Sequence, residues 1–338
     1  MPNSSGRGTR GVLVGILAGG WFLLGLGAFL YARIKHIPEW AALPIAAAFL
    51  IEFPFYLLPG LEGPLSWLKR QALKRQGRTQ AACLLAASAM MPWLVYSLAT
   101  GEARWTHFLA LLAVVVAVCF WYIAMPTSPV ADVLFLIAVA AIYLSKIFDR
   151  IYLSPLPKLS ISVLGHLMLI RTAALAVLIF HRNVKAEFRF LPNRAEWLAG
   201  LRYFGMMLPV VAFAYWALGL VNLRPQTRGA GLTALIAIGT FLGILWVVAL
   251  SEEFFFRGLL QQWIEDWTGS PLRGLILASA VFGLAHLGFH RIFPNWRWAI
   301  VAAILGLFCG SAWRKSRSVQ APMVAHALIV TLWQVFFR

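Results

Sequence analysis

The chain reads as all-α: a polytopic transmembrane helical bundle of about 10–11 spans. Composition carries that reading first, since 61% of the 338 residues are hydrophobic and only 12% are charged. A soluble domain is about a quarter charged. The second observation is that apolar runs recur along the whole length, matching a mean hydropathy of +0.78.

A spanning helix needs about 20 mostly apolar residues. Taken in order, such runs cover roughly 11–32, 39–58, 81–99, 106–125, 130–148, 160–181, 199–221, 232–262, 272–289, 296–313 and 319–336. Turn chemistry separates them at Pro59-Gly60, at Pro126 and Pro129, at Pro155 and Pro157, at Pro225, and at Ser270-Pro271. The first run is long enough to span and has no small-residue cleavage site, so it is expected to persist as a helix.

The net charge of +17 could suit nucleic acid. Here, however, the basic residues sit in short stretches between apolar runs. These are Lys69, Arg70, Lys74, Arg75 and Arg78; the stretch His181 to Arg202; and Arg314, Lys315 and Arg317. With eleven spans and the N-terminus inside, all three lie on the cytoplasmic side, while Arg33 and Lys35 do not. The expected partner of these charges is a lipid bilayer with anionic headgroups, with no nucleic acid. The expected location is a bacterial inner membrane, crossed many times. Cys83, Cys119 and Cys309 each lie in an apolar run without ligand spacing and read as core residues.

Charge reappears inside the run 232–262, as Glu252-Glu253-Phe-Phe-Phe-Arg257. A charge in hydrocarbon costs about 2.5–3.5 kcal/mol on insertion scales, so such residues mark functional sites by default. Arg257 follows Glu253 by four residues, which lets the two pair on one helix face. Glu252 points about 100° away and is left for another task. A purely structural ion-pair cluster would not require that second carboxylate. Glu52, before Pro54, has no evident partner in sequence and reads as structural.

Two histidines follow, His286 and His326. Singly, a histidine on an apolar face is usually a satisfied core residue. Depth favours a role for His286. Glu252 lies about 18 Å from the end of its helix and His286 about 21 Å into the next, so antiparallel neighbours put them level. His326 is about 10 Å into the last helix and matches only if that helix starts deeper, as Pro322 permits. A glutamate and two histidines in an apolar cavity suit activation of water, with one histidine orienting it and another stabilising an oxyanion. Glu252, His286 and His326 could equally hold a zinc ion, although no His-Glu-x-x-His helix is present.

These residues, in this order, resemble the CPBP family of intramembrane proteases, which includes CAAX prenyl endopeptidases of the Rce1 type and the Abi proteins. Three motifs carry the resemblance: Glu252, Glu253 and Arg257; Phe282 and His286; and His326 followed by Val330. The resemblance implies a helical-bundle endopeptidase acting on a membrane-bound or lipid-anchored protein, or on an exported peptide. Catalysis would fall to Glu252, His286 and His326, with Glu253, Arg257 and Phe282 in support. Metal-dependent and glutamate-dependent members are both implied, so no cofactor is certain and Zn2+ stays open. Where family members often have asparagine, Val330 cannot donate, which passes any such role to another group such as Thr331.

The expected organisation is therefore a transmembrane region over 1–225 of unassigned role and a protease domain over 226–338. Two other classes compete. One is a transporter using the buried acids and histidines as an ion or proton relay, but no repeated halves with broken helices are seen. The other is an inactive family member serving as an immunity or scaffold protein, which Val330 keeps in view.

Overall fold

The computed structural model describes residues 5–337 except 75, 158, 182, 183, 185, 222, 224–228, 290 and 291. Arg75 of the first basic stretch and Pro225, with the division drawn there, lie outside the described residues. By contacts the chain separates into two compact units, Met1–Arg182 and Asn183–Arg338.

The described residues form helices and no named strand, an all-α polytopic architecture. Among the described residues, seven helices are long and apolar enough to cross a membrane, and four shorter apolar helices accompany them. Each of the eleven expected runs overlaps one of these.

The first unit contains α1 (Ser5–Lys35), α2 (Glu39–Leu57), α3 (Glu62–Ala72), α4 (Gly77–Thr100), α5 (Trp105–Cys119), α6 (Pro129–Leu144) and α7 (Val163–Phe180). The basic stretch after α2 is not all loop, because Lys69 and Arg70 fall in the last turn of α3. At the tight join into α4, a Cβ on Gly77 would collide with the Gln71 carbonyl. α6 stops at Leu144, where Ser145 caps it, short of the expected 148.

Glu52 has a partner 119 residues away: Arg171, in the middle of α7. The guanidinium meets both carboxylate oxygens through Nε and Nη2. It also donates to the Ser88 hydroxyl at 3.0 Å and the Ser88 carbonyl at 2.9 Å, and stands 5.0 Å over the Phe55 ring. Both charged side chains are fully enclosed. A buried pair persists only when its remaining donors are satisfied, and four hydrogen bonds do that here.

The second unit contains α8 (Arg194–Ala217), the long α9 (Ala230–Thr268), α10 (Pro271–Ala285), α11 (Trp296–Ser316) and α12 (Gln320–Phe336). α8 begins with a reciprocal capping box in which Asn193 and Glu196 bond each other's backbone N–H. It lies so close to α12 that a Cβ on Gly200 would come 2.6 Å from Val324 Cβ. The core gathers Met207 and Val211 of α8, Phe282 of α10, Leu305 and Cys309 of α11, and Ala325 and Ile329 of α12.

Replacing Arg171 with Met leaves Glu52 buried and unpaired, which should cost about 3–5 kcal/mol. The double variant Glu52→Leu/Arg171→Met should recover most of that loss. Unfolding midpoints of the purified proteins in one detergent test both outcomes.

Candidate active site

α9 departs from regular helix where it enters the second unit's core. A regular turn over Leu250–Glu253 is flanked by two π-helical stretches, Ile244–Ala249 and Phe254–Gln261. Such i→i+5 turns are rare and concentrate at functional sites. Beside them, Gly258 admits the preceding chain, since a Cβ there would come 2.9 Å from Ala186 Cβ. Phe188 packs on Phe254 in the same region, with ring centroids 5.1 Å apart.

Glu253 is fully buried and held from two sides. Arg257 Nε lies 3.1 Å from its Oε2, the pairing that the four-residue spacing predicts. His326 Nδ1 lies 2.7 Å from its Oε1. A carboxylate only accepts, so this bond places the proton on Nδ1 and leaves Nε2 of a neutral ring as an acceptor. Arg257 is itself fixed by donating to the Gly306 carbonyl at 3.3 Å and by the Phe282 ring 4.5 Å away.

Glu252 has the opposite surroundings. Its side chain is 29% exposed, and its Oε2 makes no hydrogen bond with protein. Its Oε2 lies 3.9 Å from His326 Nε2. The imidazole of His326 therefore stands between the two glutamates, one on each ring nitrogen. α12 reaches this depth because it begins inside the unit: every residue from Gln320 to Ala327 is buried.

His286 sits differently. α10 ends at Ala285, so His286 is the residue after the helix, and its Nδ1 contacts the Phe282 carbonyl at 2.8 Å. Among the described residues it makes no ion pair with either glutamate. The Phe282 ring lies next to both histidines, 4.7 Å from the His286 ring and 6.0 Å from that of His326. Val330 packs against the apolar core, and the buried Thr331 hydroxyl makes no hydrogen bond with protein.

The donor set does not fit a resident catalytic zinc. Among the described residues, Glu252, His286 and His326 do not form a set of donor atoms all within 4.8 Å of one another. A tighter group is Glu253, Cys309 and His326, whose donor atoms lie within 4.8 Å of one another. In that group Glu253 is already bonded to Arg257 and His326, and Cys309 Sγ faces the Pro322 carbonyl at 3.9 Å. A metal there would have to displace the bond between His326 and Glu253. Cys309 read in sequence only as a core residue because nothing in its spacing relates it to residues 56 positions earlier or 17 later.

Fold and centre together define a class: a polytopic α-helical membrane protein with a buried carboxylate–histidine cluster. Within that class, residues 234–332 match the family of type II CAAX prenyl endopeptidases, Rce1-like. The matched stretch holds all three motifs, from Glu252 to Val330, and spans under a third of the chain. No curated protein and no solved structure matches the chain.

Arg257→Met should destabilise the second unit by about 3–5 kcal/mol, because Glu253 would keep only a histidine as partner. Arg257→Lys retains the charge but cannot bond Glu253 and Gly306 with a planar fork, so its loss should be smaller. Thermal unfolding of the two variants beside wild type ranks them.

Proposed function

We propose that the chain is an intramembrane endopeptidase of the glutamate-dependent type. Its substrate would be a membrane-bound or lipid-anchored protein or an exported peptide, with CAAX-type processing the case that the family match favours. One observation carries the reading. The unpartnered Oε2 of Glu252 lies 3.9 Å from the Nε2 of His326, whose other nitrogen is held by Glu253.

Two acceptors at that separation suit one water molecule, which would donate to each at about 2.8 Å and turn a lone pair outward. Glu252 takes one proton as the water oxygen attacks the scissile carbonyl carbon. The tetrahedral intermediate then collapses, the C–N bond breaks, and Glu252 returns the proton to the leaving nitrogen. Glu253 fixes the His326 tautomer and favours any imidazolium formed during the reaction. His286, whose Nδ1 is held by the Phe282 carbonyl, is assigned to the oxyanion. No step requires a metal. The basic membrane-edge segments would hold the protein against anionic lipid, in a bacterial inner membrane.

Glu252→Gln should lower turnover of a farnesylated CAAX peptide by about 10²–10⁴-fold while leaving the unfolding midpoint within error of wild type. Equal cleavage by the variant sinks the assignment. Exhaustive chelation should leave a zinc-free and active enzyme, and activity restored only by added zinc would refute the glutamate-dependent reading. If the farnesylated peptide is inert, the protein accumulating uncleaved in membranes that lack this chain identifies the substrate. If nothing accumulates, the inactive-scaffold or relay-transporter reading takes over.

A further inference from the structure

The line of polar residues along α9 does not end at Arg257. Glu253, Arg257, Gln261 and Glu265 follow one another at intervals of four. On a regular helix three such steps drift about 120° around the axis. The wider π turn over Phe254–Gln261 takes much of that drift back, and the last three side chains all meet α11 or the residue after it. Arg257 donates to the Gly306 carbonyl at 3.3 Å, Gln261 to the Gly310 carbonyl at 3.3 Å, and Glu265 pairs with Arg317 at 3.6 Å. Gln261 also donates to Glu265 at 3.3 Å. α11 admits the amide because position 310 has no side chain: a Cβ there would stand 2.6 Å from Gln261 Oε1.

Two atoms of this line are unused. Arg257 Nη1 and Gln261 Oε1 make no hydrogen bond with protein, in residues that are 1% and 0% exposed. They are a donor and an acceptor on successive rungs. Buried polar atoms almost always have a partner, and where protein supplies none the usual partner is ordered water. At its outer end the line reaches Arg317, whose side chain is 65% exposed.

We infer that the seam between α9 and α11, from Glu265 through Gln261 and Arg257 to Glu253, binds a file of water molecules linking the membrane edge to the carboxylate–histidine centre. Resting on the hydrolase reading, the file gives that centre a water and proton route separate from the face by which a membrane-borne substrate reaches Glu252. Gln261 is then a positioning residue for water, one that the family motifs do not include.

X-ray hydroxyl-radical footprinting of the full chain in lipid nanodiscs tests this without depending on activity. Cys309, beside the inner end of the seam, and Cys119, in the first unit, are both 0% exposed. Radicals formed from bound water should oxidise Cys309 several-fold faster than Cys119. The Gln261→Leu variant should reduce Cys309 to the rate of Cys119, and Gly310→Ala, whose Cβ crowds both Leu275 and the amide, should do the same. Equal slow oxidation of both cysteines in wild type overturns the proposal. So does fast oxidation of Cys309 that persists in Gln261→Leu, since water would then arrive from the Glu252 side. Where a cleavable substrate is in hand, Gln261→Leu should lower kcat with KM unchanged. Fast, Gln261-dependent oxidation in a protein that cleaves nothing would retain the seam and remove the protease reading.

Discussion

A carboxylate enclosed in an apolar helical unit has to be answered from every side, and Glu253 imposes that demand on everything near it. Arg257 answers one oxygen and His326 the other. Arg257 then requires an acceptor and a face, which Gly306 and Phe282 supply. His326 requires α12 to begin deep in the unit, and α8 packs closely along it. Much of the second unit can be followed outward from this one buried charge.

The two units solve the same electrostatic problem with different residues left over. In the first, four hydrogen bonds close the Glu52–Arg171 pair, and no carboxylate oxygen is spare. In the second, the paired glutamate sits next to a partly exposed one with an oxygen that makes no hydrogen bond with protein. A closed pair serves as a staple. An ion pair with an acidic neighbour and a histidine between them has the parts of an acid–base centre.

How much of this was legible in the sequence follows from the range of each interaction. Spans were readable because hydrophobicity over about 20 residues is a local property. The Glu253–Arg257 pair was readable because both partners share a helix. The partner of Glu52 was not, because Arg171 is 119 residues away and reads as one charge in another apolar run. Depth counting set His286 level with Glu252 and admitted His326 only if the last helix starts deeper; in the structure His326 Nε2 lies 3.9 Å from Glu252 Oε2. The position of His326 was not legible because nothing local shows that α12 begins among buried residues. The π turns left no mark in composition. The four-residue spacing from Glu253 to Glu265 was visible, but its meaning depends on the carbonyls of Gly306 and Gly310, which only the fold brings near.

The Glu52–Arg171 staple also has a history built into it. Neither residue can be lost alone without stranding its partner in an apolar interior, so a lineage cannot easily pass through the single-substitution intermediates. Inheritance should treat the two codons as one character, kept together or exchanged together for an apolar pair. Across descendants of a common ancestor, positions 52 and 171 would then change in step, even though function leaves each of them free.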